Sequence, residues 1–474
     1  MPLSRRDVVQ RSAPAGSGVT RAGERAGGIL ATAPGHSPAG YGPLLDDPAG
    51  LLALPAGFSY RVVSRAGGAA LESGEPTPSH PHGCAAFAGD RGVVVLVTNH
   101  GPDGPRSAVP FPVPPVPGLV YDPAAPGGCT VAELPAAWQD AGADPVTRWV
   151  ALAGTAANRA GGVTPWGTWL TCEGTEDQAG RHGMTKDHGY VFEVDPRDRR
   201  ADLHPRPIKV LGRYAHQAVV VDPQRGHLYL TEDAAGPNGL LYRWTPPQGF
   251  QHGPGRLAAL PDTAGTLQAF RCFDSGGRFV DDLSRATRIG TVLGVDWVDV
   301  PDRDARDTPV RAQFTDQQVT RARKPATLWW ADGGAYLVSS RARDESPARQ
   351  DRAVWFYNPA RRTLTLKVLP GGAATREGDG AAEGPDTVTV SPYGDLIVAG
   401  NGSGGRHLFG ALADGRTYPL ARGELNIGTA ERPAYGEFTG VTFAPDGRTL
   451  FATLQEPGVV VAITGPWRGR LTAC

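Results

Sequence analysis

The chain has 474 residues, a formal net charge of −1 and a sequence pI of about 6.8. This balance creates no global field for nucleic acid or an anionic membrane, and no window reaches the roughly 18 apolar residues of a membrane helix. With 64 glycines, 44 prolines and 40% hydrophobic residues, the chain is rich in turns yet able to bury a large core, which favours many short strands over disorder.

The first 40 residues resemble a degenerate export leader. The sequence SRRDVVQ at 4–10 resembles a twin-arginine motif, which an apolar segment should follow. Turn formers and charges break up residues 12–28 instead, so an exported protein and a cytoplasmic protein with an inert leader both stay open. We therefore divide the chain into a disordered leader, 1–40, and a single folded domain, 41–474.

Short strands separated by proline turns recur through the folded domain. Six turns share an Asx-Pro, Ser-Pro or Ala-Pro start: Asp122-Pro123, Asp195-Pro196, Asp222-Pro223, Asn358-Pro359, Ser391-Pro392 and Ala444-Pro445. Proline presets φ for the first turn position, and period-two strands such as 227–231 and 448–452 follow. Helical segments are short, near 133–141 and 281–286, and long loop excursions cover 246–290 and 299–325. This pattern predicts an all-β propeller with long loop insertions, with a two-sheet sandwich as the alternative.

Four strand ends carry side chains that could form a functional site. Residues 161–174, GGVTPWGTWLTCEG, end a strand on Cys172 and Glu173, a thiol and a carboxylate that metals bind. Glu232 and Asp233 end another strand, where they face an axial channel and a hard cation or else form a solvated hairpin tip. His100 and His216 each close an apolar strand, a place where satisfied hydrogen-bonding histidines are common.

Other candidate motifs have simpler explanations. Five cysteines without paired spacing argue against a disulfide framework and a zinc ribbon, and Cys84, Cys129 and Cys272 read as small buried hydrophobes. The acids at 299–307 lack the glycine of a calcium loop, and the glycine run at 400–405 opens no helix, so both read as surface loops.

In chain order, the segments TPWGTWLTCE, GRYAH, YLTED, GPNGLLYRW, VLGVDWVDV, RKPATLWW, EGPDTVTVSPYGDLIVA and GEFTGVTFAPDGRTLFATLQEPGVVVAITGPW resemble the PhoX family of alkaline phosphatases. The resemblance runs from about residue 45 to 468. It implies a six-bladed β-propeller with iron and calcium in its axial channel, phosphate monoesters or another small anion as substrate, and twin-arginine export.

The resemblance also assigns roles to residues. Cys172 would be the iron thiolate ligand, Glu173 and Glu232 metal carboxylates, and Asp233 and Asp386 further oxygen ligands or supports. Lys324 would face the substrate phosphate. His100 and His216 would support the ligands from behind.

The departures from the family pattern all remove acids. The positions that lack the expected carboxylate are Gly101, Gly174, Gln217, Ala326, Gly400 and Asn401. Calcium takes six to eight oxygens, and clustered multivalent ions need comparable anionic charge, so this chain predicts a reduced metal set or none. In an empty channel, Arg159, Arg323 or Lys324 would neutralise Glu232 and Asp233.

Two functions follow from this comparison. One is a phosphatase-family propeller whose hydrolysis is weak or lost, and the other is a non-catalytic binding propeller without the metal cluster. Either is expected to be a monomer with no nucleic-acid or membrane partner.

Overall fold

The computed structural model describes residues 40–138, 146–201, 203–339, 353–369, 385–402 and 405–467. These ranges are almost entirely β-structure, and their helical segments are the short 3-10 turns Asp90–Gly92, Arg106–Ala108, Lys209–Leu211, Leu283–Arg285 and Val310–Gln313. The strands are β1 Leu44–Leu45, β2 Leu52–Pro55, β3 Ser59–Arg65, β4 Pro81–Ala88, β5 Val94–His100, β6 Gly127–Leu134, β7 Thr147–Thr155, β8 Gly162–Val163, β9 Trp169–Cys172, β10 Val191–Val194, β11 His216–Val221, β12 Leu228–Glu232, β13 Leu241–Thr245, β14 Thr266–Phe273, β15 Phe279–Val280, β16 Val292–Asp299, β17 Pro325–Ala331, β18 Gly334–Ser339, β19 Ala353–Asn358, β20 Thr363–Val368, β21 Pro385–Val390, β22 Leu396–Gly402, β23 Gly405–Ala411, β24 Thr417–Gly423, β25 Phe438–Phe443, β26 Thr449–Leu454 and β27 Val459–Thr464.

The predicted proline turns form because the residue before proline, or just after it, closes the turn with its side chain. Asp222 Oδ1 accepts the backbone N–H of Gln224 at 2.9 Å, and Asp446 Oδ1 accepts that of Arg448 at 2.9 Å. Ser391 Oγ accepts the N–H of Tyr393 at 3.1 Å. Such Asx and Ser turns compete with continued strand pairing, so the chain reverses where the sequence predicts it.

The strands pair antiparallel into five sheets. Their orders are β1-β2-β24-β23-β22-β21, β10-β9-β8, β11-β12-β13-β14-β16-β20-β19-β18-β17 with β15 on β14, β25-β26-β27-β3, and β4-β5-β6-β7. The largest sheet contains two up-and-down units, β11–β14 and β17–β20, which β16 joins by pairing with β20. Strand β3, from the start of the domain, pairs with β27 at its end, so the two ends of the domain share one sheet.

The first strands of the sheets surround a central axis. Strands β4, β25, β21, β17 and β11 contact one another in that order, and β11 contacts β8. The N–H of Gly83 on β4 reaches the carbonyl of Arg159, before β8, at 3.3 Å. These strands line a cavity of about 440 Å³ whose walls include Val163, Val220 and Val441. The starts of the same strands gather at one mouth of this channel.

The core lies between neighbouring sheets. One apolar cluster joins Ile397 and Leu420 of one sheet to Phe438 and Ile463 of the next. A second joins Val131 and Trp149 of the β4–β7 sheet to Trp169 and Phe192 of the β8–β10 sheet. Each sheet therefore buries both faces against its neighbours, which is the packing of a propeller blade.

The predicted all-β propeller is confirmed, and the two-sheet sandwich is wrong because the sheets follow one another around a channel. The count of six blades stays a prediction. Of the two helical candidates, 283–285 is a single 3-10 turn and 133–134 belongs to β6. The twin-arginine motif lies outside the described residues, and no helix among the described ranges is long and apolar enough to cross a membrane.

Candidate functional site

Cys172 ends strand β9 without any exposed surface. Its side chain belongs to an apolar cluster that includes Leu230 and Tyr214. Burial, with a smaller contribution from the charge of Glu173, raises the pKa of the thiol well above its ordinary value. The thiol is therefore protonated unless a metal ion binds it, because a coordinating thiol is deprotonated.

Glu173 follows Cys172 and is fully buried. Its two oxygens accept hydrogen bonds from four protein groups, namely the backbone N–H of Ala156 at 2.9 Å, of Gly189 at 2.9 Å and of Tyr190 at 3.1 Å, and Nδ1 of His188 at 2.6 Å. Both oxygens thus have protein partners, and a metal ion would have to displace them.

His188 is a buried residue that sequence reasoning missed. Its ring lies between two carboxylates, with Nδ1 on Glu173 and Nε2 3.3 Å from Oδ2 of Asp122. Burial lowers the pKa of His188, but the charge of Glu173 and the hydrogen bonds to both carboxylates outweigh it, so the pKa is raised. For the Asp122 carboxyl, burial acts in the opposite direction and raises the pKa. Hydrogen bonds that residues 124, 185 and 186 donate to this carboxylate outweigh burial and lower the pKa to about 2.

Glu232 ends strand β12 and is also fully buried. Its Oε2 accepts the hydroxyl of Tyr242 at 2.6 Å, and its Oε1 lies 2.9 Å from Nη1 of Arg311. The same Arg311 nitrogen lies 2.8 Å from Oε1 of Glu176. Burial raises the pKa of Glu232 to about 7 against the opposing effects of Arg311 and Tyr242. At Glu232 the counter-charge is therefore Arg311, and not one of the predicted Arg159, Arg323 and Lys324.

The alternative counter-charges face other partners. Arg323 Nε lies 3.9 Å from Oδ2 of Asp282, and Arg159 Nη2 donates to Oδ1 of Asp103 at 3.1 Å. Neither of these two arginines is the ion-pair partner of Glu232 in the described part of the chain, where that partner is Arg311.

Asp233, Lys324 and Asp386 are partly exposed at the channel mouth. The N–H of Asp233 donates to the carbonyl of Ala215 at 2.9 Å, which fixes the end of β12 beside the start of β11. Desolvation raises the pKa of Glu437, the negative charge of Asp386 raises it further, and the positive charge of Lys324 lowers it. Asp386 and Lys324 therefore both lie near Glu437, a carboxylate before β25 that sequence reasoning also missed.

His100 and His216 are buried and bonded to protein. His100 Nδ1 lies 3.0 Å from the Ser79 carbonyl and Nε2 2.8 Å from Oγ1 of Thr130. His216 Nε2 lies 3.1 Å from the Gly212 carbonyl, and its ring stacks on Tyr214 with centroids 3.7 Å apart. Burial is the main cause that lowers the pKa of His100 to about 4 and that of His216 to about 3. Both rings are therefore neutral near pH 7.

Neighbouring atoms occupy the space that a side chain at Gly101 or Gly174 would need. A Cβ atom on Gly101 would lie 1.9 Å from the carbonyl oxygen of Asn158, and one on Gly174 would lie 2.5 Å from Cγ of Arg159. The first contact is with backbone, and the second is with a flexible side chain. An acid at 101 needs a backbone shift, whereas one at 174 needs Arg159 to move aside.

The other substituted positions also belong to regular structure. Gln217 lies at the irregular pairing between His216 and Ala218, buried, with no hydrogen-bond partner for its Oε1 in the described part of the chain. Ala326 is buried, and its carbonyl accepts the hydroxyl of Thr231 at 2.7 Å. On β22, residues 400 and 401 pair with 407 and 406 of β23.

The donor set does not fit the iron and calcium that the resemblance implies. Across the ranges that the structure describes, no three His, Cys, Asp or Glu side chains are grouped so as to hold a metal ion. Glu173 and Glu232 accept hydrogen bonds from protein donors at both of their oxygens. No chemical step is therefore assigned to these ions, and the metal-ligand roles of Cys172, Glu173, Glu232, Asp233 and Asp386 stay predictions.

Comparison with known proteins gives one family. A family model described as alkaline phosphatase PhoX matches residues 39–458. Among solved structures, the chain is similar to Pseudomonas fluorescens PhoX in complex with vanadate, a transition state analogue, with 17% identity, a TM-score of 0.61, and coverage of 88% of this chain and 96% of that one. It is also similar to an auxiliary nutrient binding protein from Bacteroides ovatus, with 8% identity, a TM-score of 0.40, and coverage of 86% and 78%. No curated protein matches the chain.

Proposed function

Since this chain belongs to the alkaline phosphatase PhoX family, we propose that it keeps the family's propeller fold while its hydrolysis of phosphate monoesters is weak or lost. One observation carries this proposal: the buried carboxylates predicted to bind metal accept hydrogen bonds from protein groups instead, Glu173 from His188 and three backbone N–H groups, and Glu232 from Arg311 and Tyr242. Multivalent ions gather only where anionic oxygens are free to coordinate them.

Metal analysis and an activity assay test the proposal together. Protein purified without chelators should contain iron and calcium well below one equivalent per chain, and should hydrolyse p-nitrophenyl phosphate no faster than an E173Q/E232Q double variant. Near-stoichiometric metal with hydrolysis that this double variant loses would contradict the proposal. Added iron and calcium during refolding serve as the control for metal lost in purification.

A second candidate function is metal-independent binding of a small anion at the channel mouth. It is favoured by the surroundings of His82, which is buried on β4. Burial lowers the pKa of His82 far below its ordinary value, and the charges of Arg159 and Lys324 lower it further. Two cations therefore lie near one buried ring at this mouth. Calorimetric titration of the wild type and of R159M with inorganic phosphate tests this function. An equal heat of phosphate binding in the two proteins would exclude Arg159 from the anion site.

The remaining features are proposed on the family resemblance. We expect a single domain over 41–474, a monomer, and no nucleic-acid or membrane partner. PhoX proteins are typically exported, and we carry export over to this chain as a proposal. Fractionation of cells that express the full chain, with and without residues 1–40, tests the leader.

A further inference from the structure

Residues 300–321 form a long connection between β16 and β17 that contains no strand and one 3-10 turn, Val310–Gln313. Arginines tie its first half to the protein. Arg303 donates to the carbonyls of Val210 at 3.0 Å and Ala264 at 2.9 Å. Arg213, from the β10–β11 connection, donates to the carbonyls of residues 304 and 305. The connection is therefore anchored at its start.

Its second half is anchored as firmly. Arg321 donates to the carbonyls of Asn238 at 3.1 Å and Phe314 at 3.1 Å. Val310 and Val319 have no exposed surface and belong to the same apolar cluster as Cys172. A loop that buries apolar side chains and satisfies so many carbonyls is a fixed part of the fold.

Arg311 is the one arginine of residues 300–321 that bridges two carboxylates. Its side chain is 11% exposed, and Nη1 lies between Glu176 at 2.8 Å and Glu232 at 2.9 Å. With Tyr242 on the other oxygen, both oxygens of Glu232 have donors. A guanidinium stays charged at any pH that the fold survives, so it is a permanent cation in this position.

We infer that the anchored connection 300–321 holds Arg311 against Glu232, where its guanidinium supplies the positive charge that a metal ion would supply in a metal-bearing member of the family. The inference deepens the proposed function, on which it rests for the absence of metal at Glu232. It predicts a fold whose stability is independent of metal and depends on one buried ion pair. Removing one partner of such a pair leaves an uncompensated buried charge, which is far more damaging than removing both.

A double-mutant cycle on thermal unfolding tests this coupling. Measured at alkaline pH, where an unpaired Glu232 is ionised despite its raised pKa, R311M should lower the unfolding midpoint by several degrees. E232Q added to R311M should recover part of the loss, because the side chain at 232 then carries no charge. R303M is the matched control: it removes an anchor of the same connection that faces backbone carbonyls, so E232Q should add to R303M without any recovery. Dialysis of the wild type against EDTA should leave its midpoint unchanged.

Each outcome decides the inference. Additive effects in both cycles, or a wild-type midpoint that EDTA lowers as much as R311M does, would overturn it. If R311M does not fold, recovery of folded R311M/E232Q supports the inference, and failure of both variants counts against it. Near-stoichiometric metal in the wild type, with hydrolysis of p-nitrophenyl phosphate that E173Q/E232Q loses, would overturn the proposed function and leave the coupling result as it stands, so the two failures are distinguishable.

Discussion

Glu173 offers the sharpest distinction between a metal ligand and a structural residue. In E173Q, one carboxylate oxygen becomes an NH2 group that faces N–H donors, either those of Gly189 and Tyr190 or those of Ala156 and His188. Two buried donors then lose their acceptor, at about 1–3 kcal/mol each, and the buried ion pair with His188 is lost as well. We expect the free energy of unfolding to fall by about 3–5 kcal/mol.

Urea unfolding followed by tryptophan fluorescence measures this change, since the chain has 10 tryptophans. E72Q is the control, because Glu72 pairs with Arg199 at the surface and both side chains are 43% exposed. We expect the control to change stability by less than about 1 kcal/mol. A metal-free E173Q protein within about 1 kcal/mol of the wild type would refute the structural role of Glu173.

Three further predictions concern the histidines and the missing acids. Folding lowers the pKa of His100 from 6.5 to about 4, so the stability that depends on its neutral ring is complete above pH 6.5. The free energy of unfolding should fall by about 3 kcal/mol as the pH drops from 6.5 towards 4, and H100Q should remove this part of the pH dependence of urea unfolding. G101D should fail to fold or lose more than about 3 kcal/mol by the same measurement, because its Cβ meets the Asn158 backbone. G174D should lower the unfolding midpoint in the wild-type background, and by less in the R159A background, where the Arg159 side chain is no longer in its way. An equal drop of the midpoint in both backgrounds would contradict this.

The fold could be predicted from the sequence because its signals are local. An aspartate before proline closes its own turn, as Asp222 does for the N–H groups of Gln224 and Arg225. Period-two burial is visible in β16, where exposed and buried residues alternate from Val292 to Trp297. The short helical candidate at 281–286 shrank to one 3-10 turn, since Asp282 caps Ser284 and the chain then extends. Each of these outcomes depends on residues within a few positions of one another.

The site could be predicted only in part, because its partners are distant in sequence. Cys172, Glu173 and Glu232 were found at strand ends, where the structure places them. Their partners were missed: His188 lies 15 residues beyond Glu173, and Arg311 lies 79 residues beyond Glu232. The one signal for Arg311 was the long excursion at 299–325, which the sequence interpretation used only as evidence for a loop insertion and not as part of the site. A long insertion that contains several arginines is therefore a sequence signal for a cation that pairs with a buried acid.

The backbone around Gly101 leaves no room for a side chain at this position. Asn158 is fixed on all sides: its Oδ1 accepts the hydroxyl of Thr155 at 2.8 Å and its Nδ2 donates to Oγ1 of Thr171 at 2.9 Å. Its carbonyl oxygen occupies the space that any side chain at 101 would need. An acid introduced at position 101 therefore costs stability before it can act as an oxygen ligand. Accommodating it would require the chain segments that carry residues 101 and 158 to move apart together.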